Sequence, residues 1–193
     1  MPWVKDFDEE DVVKRAMKVF WAKGYESTSI SDLLRVMEIN KGSFYNAFGS
    51  KKALFVRALL KYDRENRQRS IATLEALGDP VASIKTLFDG LVKESLADTE
   101  QKGCLLVNTA LDLPNHSEDI KEMVTSALKD FEKFFERLIR VGQERGEIPD
   151  TIDVSQTAKS LLTQVVGLRV LARGVFDEAS LRAIGIQALD QIT

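Results

Sequence analysis

Residues 41–48, K-G-S-F-Y-N-A-F, place an ammonium, a hydroxyl, a phenol and an amide within a short helical stretch. Phe44 and Phe48 are four residues apart, so on a helix they share one face, and that face turns inward. The polar side chains are then left on the open face or at the exposed N-terminal end. Such groups form hydrogen bonds with base edges and phosphates. The segment therefore suits a nucleic-acid groove better than a protein core.

Capping signals place this segment in a helix-turn-helix. Ser29 followed by Asp32 fits a helix N-terminus, because a hydroxyl accepts a backbone N–H there and a carboxylate favours the positive helix end. An apolar set follows at helical spacing: Ile30, Leu33, Leu34 and Met37. We predict that this helix ends near Glu38 and that Asn40 caps a second helix over residues 41–48.

Residues 9 to about 62 resemble the DNA-binding domain of the TetR family of transcriptional regulators. The resemblance is carried by residues 16–33, A-x-x-x-F-x-x-x-G-Y-x-x-T-S-x-x-D-L, and by residues 39–54, I-x-K-G-S-F-Y-x-x-F-x-S-K-x-x-L. One position departs from the family pattern. Many relatives carry a histidine where this chain has Ala47, so a contact often made from that position is in doubt here.

The resemblance implies roles for individual residues. Asn suits adenine, Lys suits guanine, and glycine allows the backbone to come close. The residues expected at base edges are Lys41, Gly42, Ser43 and Asn46. The residues expected at phosphates, through hydroxyls, helix N-termini or an ammonium, are Thr28, Ser29, Tyr45, Ser50 and Lys51. For Tyr45 a half-buried packing role is the alternative, and Lys52 is expected to be a solvated surface charge.

Charge is divided unevenly along the chain, whose net charge is -3. Residues 1–69 carry 14 Lys and Arg against 10 Asp and Glu, and the remainder carries 13 against 20. Phosphate neutralisation depends on local positive charge, so the basic first part favours DNA even though an acidic run, D-F-D-E-E-D, lies near the start. Taken alone, both charge sets also fit solvated helix faces.

Composition excludes several classes of function. No stretch approaches the ~20 apolar residues that span a bilayer, and M-P-W-V-K-D-F-D at the start lacks a signal-peptide core, so we expect a soluble, cytoplasmic protein. One cysteine and one histidine exclude an internal disulfide and the usual structural zinc set, and we expect no metal and no cofactor. The same scarcity leaves no nucleophile, base and orienting group, so we do not expect an enzyme.

The pattern predicts an all-α fold of about nine helices, the number expected for the resembled family. A three-helix helix-turn-helix domain over residues 1–50 precedes a helical effector-binding and dimerisation domain over residues 51–193. Helix one is predicted over about Glu9 to Lys23, and a long helix from Lys51 to about Leu77 bridges the domains. The remaining helices are predicted at about 80–98, 103–113, 117–144, 154–174 and 178–192.

The larger domain offers a candidate effector site. The helix from about 117 is apolar over more than half its circumference, which indicates two neighbours, or a neighbour and a pocket. The residues we assign to this site are Phe88, Cys104, Asn108, Met123 and Phe131. For the aromatic residues the alternative is plain core. Cys104 follows Gly103 at a predicted helix start, where a thiol can react with electrophiles, and the alternative is a small buried hydrophobe.

The last two helices indicate a dimer interface, since residues 154–176 combine small and branched apolar residues along nearly their whole length. The interface candidates are Leu161, Leu162, Val165 and Leu168. The alternative is a helix buried wholly inside the monomer. In relatives the final two helices pack with their twins into a four-helix bundle, and Gly167 would permit close approach there.

Together these features predict a homodimeric transcriptional regulator. By resemblance it is a repressor that binds a palindromic operator and releases it when a small molecule or a cysteine adduct alters the helical domain. The long helix from Lys51 is the expected route between effector and DNA. The alternative is a helical small-molecule-binding or partner-interaction protein without operator-specific DNA binding.

Overall fold

The computed structural model describes residues 7–193, which form helices, turns and loops without any strand. The first six residues, including most of M-P-W-V-K-D-F-D and the first acid of the D-F-D-E-E-D run, lie outside the described residues. The helices are α1 (Glu9–Lys23), α2 (Ile30–Met37), α3 (Lys41–Phe48), α4 (Lys51–Asp63), α5 (Arg69–Glu75), α6 (Pro80–Ala97), α7 (Leu105–Leu111), α8 (Glu118–Glu144), α9 (Val154–Leu171) and α10 (Glu178–Asp190).

The predicted long helix is present with one irregular turn. A π-helical segment, Arg64–Gln68, joins α4 to α5, so the backbone is helical from residue 51 to residue 75. Asn66 Nδ2 donates at 2.8 Å to the Tyr62 carbonyl, which is the group that accepts the backbone N–H of residue 66 in a regular α-helix. With this run counted as one helix, residues 7–193 form nine helices, and the predicted all-α fold is confirmed.

The chain divides into two compact units at Asn66 and Arg67. We call them the reader unit, whose described part is residues 7–66, and the helical unit, residues 67–193. The sequence placed this boundary at residue 50, ahead of α4. The structure instead places α4 in the reader unit, because one face of α4 packs on α1.

The reader unit has a core that combines aromatic and aliphatic side chains. Phe20 of α1 meets Phe55 of α4 edge-on, with ring centroids 4.9 Å apart, and both are buried. Other fully buried residues of this core come from all four helices: Ala16, Leu33, Phe44, Leu54, Ala58 and Leu59. Burial of this apolar area is the main favourable term that holds the four helices together.

Ion pairs at the edge of this core join α1 to α4. Arg57 Nη2 lies 2.7 Å from Glu9 Oε2, and Lys61 Nζ lies 2.6 Å from Glu10 Oε2 and 2.9 Å from Glu65 Oε1. Lys61 is buried, and the two carboxylates that accept its hydrogen bonds raise the pKa of its ammonium above the ordinary value. The ammonium is therefore paired rather than buried alone, which is the arrangement a buried charge requires.

Short polar residues start most of the helices, and the predicted caps at Ser29 and Asn40 are present. Ser29 and Asp32 form a complete capping box at α2, and Asn40 accepts from the Ser43 N–H at α3 at 2.8 Å. The Ser29 hydrogen bonds lower the pKa of Asp32. Aspartates cap four further helices: Asp8 at α1, Asp79 at α6, Asp153 at α9 and Asp177 at α10.

The helical unit is organised around the long helix α8. Phe131, Phe134 and Phe135 of α8 contact one another with ring centroids 5.2–5.9 Å apart, and all three are buried. Buried residues of α6, α9 and α10 complete the same cluster. The apolar stripe read from the sequence of α8 therefore meets neighbouring helices of the same chain.

The predicted dimer residues need correction. Leu161, Val165 and Leu168 are buried in the core of the protomer itself, and only Leu162 is partly exposed. The three buried residues share the face of α9 that packs on α8 and its neighbours, so they offer no accessible surface to a second copy. For them the alternative of burial inside the monomer holds.

Among residues 7–193, no helix is long and apolar enough to cross a membrane.

The turn between α2 and α3 contains an unusual backbone conformation. Glu38 has φ 57° and ψ 36°, the left-handed region that favours glycine. Its carboxylate lies 2.6 Å from Arg15 Nη1 of α1, and Arg15 also pairs with Asp11 at 2.8 Å. An exposed ion pair thus accompanies a strained turn residue.

We expect Glu38→Gly to keep the free energy of unfolding or to raise it by up to about 2 kcal/mol, since removal of Cβ relieves a left-handed cost of ~1–2 kcal/mol while an exposed ion pair contributes ~0.2–1 kcal/mol. Glu38→Ala keeps Cβ and loses the pair, so it should be less stable than the parent. Urea unfolding measures all three proteins.

The matched control is Glu122→Gly on the exposed side of α8, where glycine should cost about 1 kcal/mol. A loss of more than about 1 kcal/mol in Glu38→Gly would show that the Arg15 contact outweighs the backbone strain.

Candidate nucleic-acid interface

Helix α3 is anchored on one side and open on the other. Phe44 and Phe48 are buried, and the Arg57 guanidinium of α4 lies 5.0 Å from the Phe48 ring centroid. The exposed residues of α3 are Lys41, Gly42, Tyr45 and Asn46, while Ser43 and Ala47 are partly exposed. The four residues predicted at base edges therefore lie together on the accessible part of one short helix.

The N-terminal end of α3 combines its cap with a glycine. A Cβ at Gly42 would lie 3.3 Å from Asn40 Oδ1, the atom that caps the helix. Glycine at this position keeps the cap uncrowded and leaves the backbone close to the surface. The short side chains of Gly42 and Ser43 leave the longer Lys41 and Asn46 as the projecting groups.

Tyr45 fits both roles considered for it, phosphate contact and half-buried packing. Its side chain is 44% exposed, and its ring meets Phe44 edge-on at 5.2 Å. One side of the ring thus packs on the anchor of α3 while the rest faces solvent. A phenol held in this way is accessible to a phosphate or sugar.

The N-termini of α2 and α4 supply further polar groups. Ser29 caps α2 and Ser50 caps α4, where the Ser50 hydroxyl accepts from the Ala53 N–H at 3.0 Å. The first turn of a helix carries N–H groups without intrahelical acceptors, and the helix dipole adds partial positive charge. Both features favour phosphate, so the positions of Ser29 and Ser50 agree with the predicted phosphate contacts.

Thr28 has a different place from the predicted one. Its side chain is fully buried, and its hydroxyl donates to the Gly24 carbonyl at 2.6 Å. The hydroxyl therefore closes the turn between α1 and α2 and is not accessible to a phosphate. The sequence does not distinguish a buried threonine that closes the turn from an exposed one that contacts phosphate, because a threonine before a capping serine fits both.

Lys51 is partly exposed at the first residue of α4, and sequence reasoning missed its neighbour. Lys51 Nζ lies 4.3 Å from the ring centroid of Tyr25 and 3.5 Å from the Glu26 carbonyl oxygen. The two residues are far apart in sequence and on different elements, so no periodicity could have joined them. In the sequence, only the aromatic residue after Gly24 could have suggested a partner for Lys51.

Comparison with protein families decides the identity of this arrangement. Residues 12–58 match the model of bacterial regulatory proteins of the tetR family, and residues 80–184 match the tetracyclin repressor-like C-terminal domain. The chain belongs to the TetR family of transcriptional regulators. The predicted family is thereby confirmed, and with it a DNA-binding regulator rather than an enzyme.

Two relatives agree with this assignment over nearly the whole chain. The chain is 30% identical over 175 residues to YezE of Bacillus subtilis (strain 168), an uncharacterized HTH-type transcriptional regulator, with 90% of each protein covered. It is 30% identical over 177 residues to the HTH-type transcriptional repressor ComR of Escherichia coli (strain K12), covering 88% of this chain and 81% of ComR.

A solved structure shows the same fold in a DNA complex. A cysteine mutant of the TetR family regulator CifR, complexed with 26-base-pair double-strand operator DNA, matches this chain with a TM-score of 0.85 and 28% identity. The match covers 97% of this chain and 98% of that one. The TetR-family fold found here is therefore one that binds operator DNA in CifR.

The candidate effector residues of this TetR-family chain separate into two places within the helical unit. Phe88 and Phe131 are buried in the shared core cluster around α8. Cys104 lies at the N-cap position of α7 without a side-chain capping hydrogen bond, and its carbonyl accepts from the Asn108 N–H at 2.8 Å. Met123 is partly buried on α8 and is not part of that cluster. The structure thus places Cys104 and Asn108 at the start of α7, and Phe88 and Phe131 within one core cluster.

The loop before Cys104 is fastened by several hydrogen bonds. Arg173 Nε donates to the Gln101 carbonyl at 2.9 Å, and Arg173 Nη1 donates to Asn108 Oδ1 at 3.1 Å. Asn108 Nδ2 donates in turn to the Lys102 carbonyl at 2.7 Å. We call residues 98–104, Asn108 and Arg173 the Arg173 clamp.

Glycine is required at one point of the Arg173 clamp. Gly103 has φ +66°, and a Cβ there would lie 2.8 Å from Arg173 Cδ and 3.1 Å from the Arg169 carbonyl oxygen. The peptide that leads into Cys104 is therefore in close contact with α9 and the turn after it. Cys104 itself is partly exposed.

Proposed function

We propose that this TetR-family protein is a repressor that binds a palindromic operator as a homodimer and releases it when an effector acts on the helical unit. The observation that carries the proposal is the open face of α3, which places Lys41, Ser43 and Asn46 on one accessible surface. The relative ComR is named a repressor, and CifR is found on operator DNA, which supports this direction of regulation. We place its action in the cytoplasm, where bacterial operators lie.

The proposed reading of the operator follows from the side chains of α3. Asn46 can pair its amide with the N6 and N7 edge of adenine, and Lys41 can donate to the O6 and N7 edge of guanine in the major groove. Tyr45, Ser50, Lys51 and the N-terminus of α2 at Ser29 hold the flanking phosphates and fix the register. Ala47 offers only a methyl group, so base contact from that position is limited to apolar packing.

We expect Lys41→Ala and Asn46→Ala each to weaken binding of the dimer to a selected operator by about 30-fold or more, since a good base contact contributes ~1–3 kcal/mol of discrimination and the dimer makes it in both half-sites. The duplex is obtained by selection from random-sequence DNA with the parent protein, and dissociation constants are measured by fluorescence anisotropy at fixed salt.

The matched control is Lys129→Ala, which removes an exposed lysine from α8 in the helical unit and should leave affinity unchanged. If both α3 variants bind the selected duplex as tightly as the parent, α3 does not read the operator. If selection enriches no sequence at all, the chain is instead a helical binding protein without operator specificity.

The proposed dimer surface is the outward face of α10 with the turn before it, which replaces the predicted set on α9. Ala179, Ala183 and Ile186 lie on one face of α10, and Ile186 is 59% exposed. Val175 and Phe176 in the preceding turn are also exposed. Small residues beside exposed apolar ones suit close helix contact with a second copy. Two copies would place two α3 helices on half-sites about one DNA turn (~34–36 Å) apart.

We expect Ile186→Glu to convert the dimer into a monomer and to weaken operator binding at least tenfold, because it places a charge within the proposed apolar contact. Light scattering after size exclusion gives the mass, and Lys129→Glu on α8 is the charge-changing control. A dimeric Ile186→Glu with parental affinity would place the interface elsewhere.

The proposed release has a small-molecule form and a thiol form. For the thiol form, the Cys104 thiolate adds to an electrophilic alkene such as N-ethylmaleimide: a carbon–sulfur bond forms, the alkene π bond breaks, and the neighbouring carbon takes a proton from water. The adduct adds bulk at the residue after Gly103, whose backbone closely approaches the Arg173 side chain and the Arg169 carbonyl. Opening of the Arg173 clamp would follow, and the helix that starts at Lys51 is the proposed route to the reader unit.

We expect N-ethylmaleimide to abolish operator binding by the parent and not by Cys104→Ser, as measured by gel shift on the selected duplex. Mass spectrometry confirms a single adduct, which is unambiguous because Cys104 is the only cysteine of the chain. Full binding by the modified parent would rule out the thiol form and leave a non-covalent effector, with Phe88, Asn108, Met123 and Phe131 as the first residues to substitute.

A further inference from the structure

We propose that Tyr25 is a positioning residue for DNA binding, which holds the Lys51 ammonium over its ring so that the charge is fixed at the N-terminus of α4. The inference rests on the proposed contact between Lys51 and an operator phosphate. It adds a residue whose own groups need not touch DNA and assigns it a measurable effect on the electrostatic part of binding.

The position of Lys51 is electrostatically unfavourable without a partner. It is the first residue of α4, where the helix dipole is positive and a cation is disfavoured. The negative face of an aromatic ring attracts a cation within about 6 Å of its centroid. Lys51 Nζ lies 4.3 Å from the Tyr25 centroid, and the Glu26 carbonyl oxygen is 3.5 Å away. Tyr25 therefore offsets the unfavourable position and selects one direction for a flexible side chain.

The Tyr25 ring is itself fixed by the core of the reader unit. Its centroid lies 4.8 Å from that of Phe55 and 6.2 Å from that of Phe20, which are both buried. The preceding turn is closed by Gly24, at φ 80°, whose carbonyl accepts the Thr28 hydroxyl. The ring is thus held before DNA arrives, so the ammonium is ordered in the free protein.

A preordered ammonium lowers the entropy lost on binding, because a lysine side chain otherwise loses several rotamers when it meets a phosphate. The first-turn N–H groups of α4 point out of its N-terminus, which is also where Lys51 lies. Lys51 and these N–H groups together form one cationic position for one phosphate in each protomer. Loss of the ring should act like partial loss of the lysine.

The experiment measures the salt dependence of binding to the selected duplex for the parent, Lys51→Gln, Tyr25→Leu, Tyr25→Phe and the double variant. Each phosphate contact contributes about 0.9 to the slope of log affinity against log salt, so Lys51→Gln in a dimer should lower the slope by about 1.8. Tyr25→Leu should lower it by part of that amount, Tyr25→Phe should retain the parental slope, and the double variant should equal Lys51→Gln.

The results for Lys51 and Tyr25 distinguish the positioning role of Tyr25 from the Lys51–phosphate contact on which it rests. An unchanged slope in Lys51→Gln would remove the phosphate contact and the inference with it, while operator recognition by α3 is judged separately by Lys41→Ala. A lowered slope in Lys51→Gln with a parental slope in folded Tyr25→Leu would overturn only the positioning role. Lys129→Gln, on α8, controls for the change in net charge.

A second measurement does not depend on how Tyr25→Leu folds. In the parent protein, the ε-methylene protons of Lys51 should show an upfield ring-current shift by NMR, assigned by its absence in Lys51→Gln. The shift should persist in Tyr25→Phe. An ordinary chemical shift in the free parent protein would show that the ammonium is not held by the ring and would overturn the inference.

Discussion

The anchoring of α3 by two phenylalanines is the constraint on which the proposed DNA-binding surface depends. Phe44 and Phe48 bury the inner face of this eight-residue helix, and Arg57 reaches from α4 to lie over the Phe48 ring. The same Arg57 pairs with Glu9, so one guanidinium connects α1, α3 and α4. An eight-residue helix is too short to be stable alone, and its orientation is therefore set by these tertiary contacts.

Because the anchor uses only one face, the opposite face of α3 is free for recognition. Short polar residues also define the N-termini of helices in the reader unit. Ser29, Asn40 and Ser50 cap α2, α3 and α4 through their side chains, and the N-termini of α2 and α4 remain partly accessible. Each cap accepts from one first-turn N–H, and the other first-turn N–H groups have no intrahelical acceptor and suit phosphates.

The long helices of the helical unit are buried along their apolar faces. Its long helix α8 is buried on the faces that carry Phe131, Phe134 and Phe135, and α9 is buried along Leu161 and Leu168. A helix that is apolar around most of its circumference gives no sign, in sequence alone, of which neighbour belongs to its own chain. The correction at α9 has this origin: three candidates for the second copy are core, while Val175, Phe176 and Ile186, on α10 and the turn before it, are exposed.

Sequence by itself determined the local features: the helix-turn-helix, the caps at Ser29 and Asn40, and the inward faces of Phe44 and Phe48. These depend on contacts between residues within about four positions, and such contacts are written directly in the spacing. Tertiary structure alone decided that the Thr28 hydroxyl is buried, that α4 belongs with α1, and that Lys51 lies over a distant aromatic ring. Each of these depends on which surfaces meet across the fold, and no periodicity along one helix records that.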